Sequence, residues 1–159
     1  PNSDSALFSL LPMQDPEVLK PDYNGFPLVH ATLLSPQREL SVYVAHPRSP
    51  IVPADLTQRN HELDYLTAVL QKENNKPVIV MGDFNVTPWS PTYKHLLNDL
   101  PNLVDAAAGT GLNFTWSHVP LISNHIDHIL VSNYFHIKDF QVDGSFGSDH
   151  SLIYADIQL

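Results

Sequence analysis

Residues 78–85 read VIVMGDFN, a run of four apolar side chains followed by a glycine and by polar residues on either side of a phenylalanine. The apolar run has no polar face, which is typical of a central strand covered on both sides. Asp83 and Asn85 follow at the end of this strand, where loops gather functional groups on a rigid scaffold. The stretch therefore predicts a covered sheet with a polar site at the end of its central strand.

Two helices are predicted, one before and one after this strand in the sequence. Residues 55–72 repeat apolar side chains at helical spacing, with Asp55 as the expected N-cap and Gln58 in the capping-box position. Ser90 and Pro91 are residue types that open a helix, which predicts a second, shorter helix after the central strand.

Further strands are expected before and after these helices. They are predicted at residues 26–34, 40–46, 126–132, 136–142 and 152–157. Residues 1–25 are rich in turn formers and contain only one short apolar piece. The resulting order is two strands, a helix, a strand, a helix and three strands. This order favours a single α/β domain over residues 1–159, built on a mixed sheet.

The composition of the 159-residue chain fits one domain and excludes several functions. Apolar residues make up 43% and charged residues 16%, which is enough for a core and too little charge for disorder. With 8 Lys and Arg against 17 Asp and Glu, the net charge is −9, and no dedicated nucleic-acid-binding surface is expected. The absence of cysteine excludes disulfides, thiolate nucleophiles and cysteine-ligated zinc. No apolar run approaches the ~18 residues that cross a bilayer.

Four polar clusters stand at the ends of predicted strands. They contain His46, then Asp83 and Asn85, then Asp127, and finally Asp149 and His150. Asp83, Asn85 and Asp149 offer only oxygen ligands, which suit a hard cation such as Mg²⁺ or Mn²⁺. A carboxylate from Asp127 would hold the imidazole of His150 in one tautomer, ready for proton transfer near neutral pH.

Each cluster alone also has a structural interpretation. The stretch 82–85 is an ordinary strand-to-turn sequence in which Asp and Asn cap their own backbone, and 148–150 reads as the turn before a last strand. His46 precedes a proline, as strand-end residues often do. Asp127 is different, because an aspartate inside an apolar strand must be paired, exposed or functional.

Other residues are weaker candidates for a site. Arg48 and Arg59 are possible phosphate contacts because cations are so few, and Arg48 is favoured because it lies two residues after His46. Trp89 and Trp116 either line a groove or pack against the core.

A zinc site built from two nearby histidines is not expected. His125 and His128 lie three residues apart in a predicted strand, which would place them on opposite faces of the sheet.

The four clusters together resemble the motifs of the endonuclease/exonuclease/phosphatase family. The carrying residues are His46, residues 82–85 (GDFN), residues 126–128 (IDH) and residues 148–150 (SDH), in that order. Members are metal-dependent phosphohydrolases of the DNase I type, so the resemblance implies a DNase I-like four-layer α/β sandwich with mixed β-sheets. Residues 83–91 (DFNVTPWSP) are similar to a bacterial subgroup of often membrane-tethered members, which implies a membrane-associated or extracytoplasmic parent protein.

The resemblance implies a metal-dependent phosphoesterase that hydrolyses phosphodiesters. Asp83 and Asp149 would hold Mg²⁺ or Mn²⁺, and Asn85 would hold the metal or the phosphate. Asp83 would also stand beside the attacking water, as base or as metal-linked orienter. The reaction would be an in-line attack of water on phosphorus. The resemblance leaves the substrate open among nucleotides, phospholipids and nucleic acids.

It also implies three groups that act on the phosphate. His150 would contact the scissile phosphate and stabilise its developing charge, and Asp127 would fix the ring of His150. His46 matches an upstream histidine of the family, a second phosphate contact.

The chain departs from the family pattern in its first part. Family members are longer, and their first half supplies an asparagine and a metal-binding glutamate that match nothing here. Leu10 stands where relatives carry an arginine. We therefore expect the C-terminal portion of a catalytic domain, with exposed apolar surface that favours self-association. The alternative function is a non-catalytic binding module that keeps the fold and lacks the metal-binding glutamate.

Overall fold

The computed structural model describes residues 5–21, 24–73, 76–119 and 122–159. The described chain contains ten strands and two helices. In order, they are β1 (Met13–Leu19), β2 (Leu28–Leu34), β3 (Glu39–Val44), α1 (Pro53–Leu70), β4 (Val78–Asp83), α2 (Pro91–Asp99), β5 (Leu103–Asp105), β6 (Trp116–Val119), β7 (Ile122–Asn124), β8 (Asp127–Ser132), β9 (His136–Val142) and β10 (Ile153–Gln158).

Six of these strands form one mixed sheet in the order β1-β2-β3-β4-β8-β5. β3 and β4 run parallel, whereas the other neighbours run antiparallel. β4 lies between β3 and β8, as its apolar sequence predicts. β9 pairs with β10, and β6 pairs with β7, in two separate two-stranded sheets.

Both faces of the large sheet are covered. On one face, Leu63 and Leu66 of α1 are buried against Val80 of β4 and Leu130 of β8, together with side chains of α2. On the other face, neighbouring residues of β8 pack against Phe140 of β9. Successive residues of a strand point to opposite faces, so β8 contributes to both cores. This layered α/β architecture is the fold class expected from the sequence.

The two helices begin differently from one another. α2 starts as expected, since the Ser90 hydroxyl accepts a hydrogen bond from the Thr92 amide at 3.3 Å. α1 begins two residues earlier than expected, at Pro53, with Val52 as its N-cap. The prediction of Asp55 as N-cap is therefore wrong, because its carboxylate instead reaches back to the Val52 amide at 3.4 Å. No helix in the described part of the chain is long and apolar enough to span a membrane.

β1 is the longest of four strands that the sequence failed to indicate, the others being β5, β6 and β7. Most of its residues are exposed, and it contains Pro16 and a bulge at which Asp15 has a φ of 47°. The strand therefore lacks the alternating apolar pattern that marks a half-buried strand. It exists because it pairs with β2 along the edge of the sheet.

Gly82 allows β3 and β4 to approach closely where the polar residues gather. Its φ is 141°, and a β-carbon at this position would overlap the carbonyl oxygen of Ala45. The Ala45 amide donates a hydrogen bond to Met81 O at 3.0 Å and extends the pairing by one residue. The glycine thus brings the end of β3 and its following loop close to the end of β4.

Candidate active site

The pairing of β4 with β8 places two carboxylates side by side. Asp83, the last residue of β4, is the register partner of Asp127, the first residue of β8. The hydroxyl oxygen of the fully buried Thr115 accepts hydrogen bonds from the amides of Ile126 and Asp127, both at 3.1 Å. The start of β8 is therefore fixed relative to the end of β4.

Asn85 is held tightly just after β4. It has a φ of 50°, and its amide donates a hydrogen bond to Asp83 Oδ1 at 2.8 Å. Its side-chain Nδ2 donates to Pro47 O at 2.9 Å, and its backbone carbonyl oxygen accepts from Arg59 Nη1 at 2.7 Å. Asparagine tolerates this left-handed conformation better than most residues, which explains its place at this turn.

His150 is oriented by Asp127. Its Nδ1 lies 2.9 Å and 3.1 Å from the two carboxylate oxygens, which only accept, so Nδ1 donates the proton. The other ring nitrogen, Nε2, lies 3.8 Å from Asp83 Oδ2. His46 Nε2 lies 3.6 Å from the same oxygen. The carboxylate of Asp83 therefore lies between two imidazoles.

The charges of this cluster shift two pKa values upward. Burial raises the pKa of Asp83, and the nearby Asp127 adds to that shift, against the Asn85 amide and the two histidines. Burial opposes protonation of His150, but the hydrogen bond to Asp127 and the charges of the neighbouring aspartates raise its pKa above the ordinary value. The imidazole thus holds a proton more readily than a free histidine.

Asp149 lies at the exposed rim of the cluster. Its Oδ2 accepts a hydrogen bond from Trp116 Nε1 at 3.0 Å, and its carbonyl oxygen accepts from the Ser117 amide at 2.9 Å. The ligand atoms of Asp83, Asp127 and His150 all lie within 4.8 Å of one another. Asp149 does not belong to that group.

Five of the six predicted site residues line one pocket of about 670 Å³. They are His46, Asp83, Asn85, Asp149 and His150. Asp127 is not part of the pocket wall, but its carboxylate contacts His150 Nδ1 at 2.9 Å.

Sequence proximity indicated the wrong arginine. Arg48 lies outside the pocket wall, because its guanidinium stacks 4.8 Å above the Phe26 ring and approaches Asp55 at 3.7 Å. Arg59 of α1 lines the pocket instead. No pattern in the neighbouring sequence marks Arg59 as part of the site.

The two tryptophans differ in their relation to the pocket. Trp116 lines the pocket, whereas Trp89 is half-exposed and lies outside its wall. Thr115, which anchors the start of β8, was missed because a single threonine between two aromatic residues carries no recognisable signal.

A second aspartate–histidine cluster lies behind the first, in the core. His128 Nδ1 lies 3.2 Å from Asp105 Oδ2, and His128 Nε2 lies 2.9 Å from Val86 O. The Tyr93 hydroxyl donates to the same oxygen of Asp105. The rings of His125 and His128 stack at 4.8 Å, so the expected placement on opposite faces is wrong. The reason is that β8 begins only at Asp127, and His125 precedes the strand.

The pocket cluster has the chemistry of a site for a divalent cation. In the part of the chain that the structure describes, neither Asp83 nor Asp127 forms a salt bridge with lysine or arginine, and their charged partners are histidines. Two adjacent carboxylates with so little compensating charge attract a cation, and their oxygens suit a hard one. The residues present therefore fit an ion such as Mg²⁺ or Mn²⁺.

Comparison with solved structures identifies several proteins with the same fold. D. rerio TDP2, solved with a single-strand DNA product, is 16% identical with a TM-score of 0.75, over 92% of this chain and 68% of that chain. The 3′ phosphatase NExo from Neisseria, solved with a product DNA hairpin, is 20% identical with a TM-score of 0.77. The match covers 95% of this chain and 73% of the NExo chain. A mannosyl-6-phosphatase from Bacteroides thetaiotaomicron VPI-5482 is 19% identical with a TM-score of 0.67. The match covers 94% of this chain and 67% of the phosphatase chain.

These similarities define the fold. The chain spans about two thirds of the length of the TDP2 and mannosyl-6-phosphatase chains that it matches. A search of curated proteins finds no match. The model of the Endonuclease/Exonuclease/phosphatase family matches residues 2–150. With its DNase I-like α/β fold, the chain belongs to the Endonuclease/Exonuclease/phosphatase family.

Proposed function

We propose that this chain is the catalytic part of a metal-dependent phosphoesterase that hydrolyses phosphodiesters. The observation that carries the proposal is the histidine that Asp127 orients, with its second ring nitrogen 3.8 Å from the buried carboxylate of Asp83. The similar structures support a phosphate-ester substrate, since one was solved with a DNA product, one is a 3′ phosphatase and one is a mannosyl-6-phosphatase.

The two histidines have the chemistry to bind the phosphate. Because Nδ1 of His150 donates to Asp127, its Nε2 is the atom available to a ligand. The raised pKa of His150 favours the protonated ring, which donates a hydrogen bond to a non-bridging phosphate oxygen. His46 approaches the same carboxylate and would contact the phosphate as well. Together the two rings would stabilise the negative charge that grows during attack.

Asp83 has the position of the group that orients the attacking water. Its carboxylate is mostly buried, lies between the two imidazoles and is fixed by the Asn85 amide. A raised pKa makes this carboxylate a better proton acceptor than an exposed aspartate. Water held by Asp83 would attack phosphorus in line with the leaving oxygen, and no covalent enzyme intermediate is needed.

Asp83, Asn85 and Asp149 would hold the cation. Asn85 uses its Nδ2 for Pro47, which leaves its amide oxygen for a cation or for phosphate. When bound, Mg²⁺ or Mn²⁺ neutralises charge on the phosphate oxygens.

A binding module that keeps the fold without catalysis is the alternative, and we do not favour it. Binding alone needs no imidazole whose tautomer and direction are fixed by a second carboxylate. The Asp127–His150 pair also leaves Nε2 directed into the pocket, an arrangement that suits proton transfer or transition-state stabilisation.

Hydrolysis of bis-p-nitrophenyl phosphate tests the proposal. The assay uses the 159-residue chain and a longer protein that contains it, with Mg²⁺ or Mn²⁺, with EDTA, and with the His150→Ala variant. Turnover that EDTA and His150→Ala both abolish supports a metal-dependent phosphodiesterase. Turnover only in the longer protein would add that residues outside this chain complete the site. Activity in neither protein would favour the binding module.

We also propose that the chain associates with itself. Phe8 is 90% exposed, and Leu10 is fully exposed beside β1, the edge strand of the large sheet. Apolar side chains next to a strand edge favour pairing with another copy. Sedimentation velocity should show a dimer or larger species that the Phe8→Ser/Leu10→Ser variant loses. A monodisperse wild-type monomer would contradict this proposal.

A further inference from the structure

Arg59 is a buried cation on the wall of the pocket that holds the proposed catalytic residues. Its side chain lies on α1, only 6% of the residue is exposed, and it lines the same pocket as Asp83 and His150. Arginine keeps its positive charge at neutral pH even when burial lowers its pKa, as it does here.

The charge of Arg59 has no carboxylate partner in the described part of the chain. Its Nε and Nη2 donate to Asn60 Oδ1 at 3.2 Å and 2.7 Å, and its Nη1 donates to Asn85 O at 2.7 Å. All of these acceptors are neutral. Arg48, in contrast, lies 3.7 Å from the carboxylate of Asp55. A buried charge without a counter-ion is costly, and an anionic group of a ligand would offset that cost.

The guanidinium also has donors to spare. Arginine carries five N–H groups, and the three hydrogen bonds to Asn60 and Asn85 use three of them, which leaves two. The spare N–H groups belong to Nη1 and Nη2, the ends of the fork that binds phosphate. The hydroxyl groups of Ser49, Thr87 and Ser90 line the same pocket and add possible donors.

We propose that Arg59 forms a subsite for a second phosphate group of the substrate. This inference rests on the proposed function, in which His46 and His150 bind the scissile phosphate. The pocket of about 670 Å³ has room for more than one phosphate group. The subsite therefore favours phosphodiesters that carry a further phosphate, as in a terminally phosphorylated oligonucleotide, over esters with a single phosphate.

Binding of two matched dinucleotides tests the subsite without turnover. The probes are a thymidine dinucleotide with and without a 5′-terminal phosphate, titrated calorimetrically in EDTA into wild type, Arg59→Gln and Arg48→Gln. Since a charge-assisted hydrogen bond is strong, the terminal phosphate should raise affinity about tenfold in wild type and in the Arg48→Gln control. In Arg59→Gln the two probes should bind equally.

The Arg59→Lys variant and circular dichroism guard against a folding defect. Lysine keeps the charge and loses the fork, so the gain from the terminal phosphate should fall to about threefold. If Arg59→Gln does not fold, this variant and the wild type carry the test. Equal or undetectable binding of both probes to wild type, or a gain that survives in folded Arg59→Gln, would overturn the subsite.

The result is separable from the proposed catalysis. A tenfold gain without hydrolysis of bis-p-nitrophenyl phosphate would keep the subsite and remove the activity. Hydrolysis without any gain would keep the activity and remove the subsite. If Arg59→Gln lowers kcat for that single-phosphate ester without changing the gain, Arg59 instead positions Asn85 through their 2.7 Å hydrogen bond, and the subsite is wrong.

Discussion

Two aspartate–histidine pairs lie on opposite sides of β8, and they differ in what their histidines leave available. Asp127 and His128 are consecutive residues, and each pairs with a residue from another segment, His150 and Asp105 respectively. The side chain of His128 is fully buried, whereas that of His150 is 32% exposed. One strand therefore supplies half of a core pair and half of a pocket pair.

The buried pair is saturated with hydrogen bonds. His128 faces a carboxylate at Nδ1 and the backbone carbonyl oxygen of Val86 at Nε2, so a hydrogen-bond acceptor lies beside each ring nitrogen. Asp105 also accepts from the Tyr93 hydroxyl and from the Ala107 amide. His150, in contrast, uses one nitrogen for Asp127 and directs the other toward the pocket. The buried pair therefore contributes to the stability of the core, whereas the pocket pair is the one proposed to act on the substrate.

The largest effect is expected from Asp105→Ala in the buried pair. The substitution breaks a buried pair and leaves the imidazole of His128 and the hydroxyl of Tyr93 without their partner, which should lower the free energy of unfolding by about 3–5 kcal/mol. Urea unfolding followed by circular dichroism measures the loss. An equally stable variant would show that the pair does not hold the core together.

His150→Ala should affect activity and leave stability nearly unchanged. The ring is partly exposed, so its removal leaves no large cavity, but the phosphate loses its oriented donor. In a protein that hydrolyses bis-p-nitrophenyl phosphate, we expect kcat to fall at least ~100-fold. Asp149→Ala, which removes a proposed cation ligand, should cause a similar loss. Near-full turnover of either variant would contradict the role assigned to that residue.

The contrast between the two pairs could be predicted from the sequence only in part. The apolar run of β4 indicated the central strand, and the polar clusters at strand ends indicated the residues of the site, because both signals are local. The pairing of His128 with Asp105 depends on where β8 begins, and a shift of one residue at that boundary changes which histidines meet. Element boundaries depend on tertiary contacts such as those of Thr115, which leave no local pattern.

The same limit explains the two arginines. Arg48 is close to His46 in sequence and stacks on Phe26, whereas Arg59 reaches the pocket from the second turn of α1. Which of the two guanidinium groups lines the pocket depends on how α1 packs against the sheet. The edge strand β1 was missed for a related reason, since exposed residues carry no burial pattern.

Tyr93→Phe should weaken the buried pair by a smaller amount. The substitution keeps the ring that stacks 4.4 Å from His128 and removes only the hydroxyl that donates to Asp105. Because this hydrogen bond has a charged acceptor, its loss should cost about 1.5–3 kcal/mol of unfolding free energy. The variant should keep the activity of the wild type, since the pocket wall does not include Tyr93. A loss of turnover without a loss of stability would contradict the separation of the two clusters.

The smallest effect, and the sharpest contrast, is expected in the pH dependence of stability. Burial and the nearby charge of His128 lower the pKa of His125, whereas the aspartates raise that of His150 despite burial. A lowered pKa means that protonation favours the unfolded state, so the contribution of His125 is complete above about pH 6.5 and is lost as the pH falls through its folded pKa. The contribution of His150 is complete below about pH 6.5 and is lost as the pH rises through its folded pKa.

These opposite signs can be measured with one matched pair of variants. Urea unfolding of wild type, His125→Asn and His150→Asn is followed in EDTA between pH 5 and pH 8. The stability advantage of wild type over His125→Asn should shrink toward acid, and its advantage over His150→Asn should grow toward acid. Parallel slopes for the two variants would mean that the buried and pocket histidines titrate alike. The physical distinction between the two clusters would then be lost.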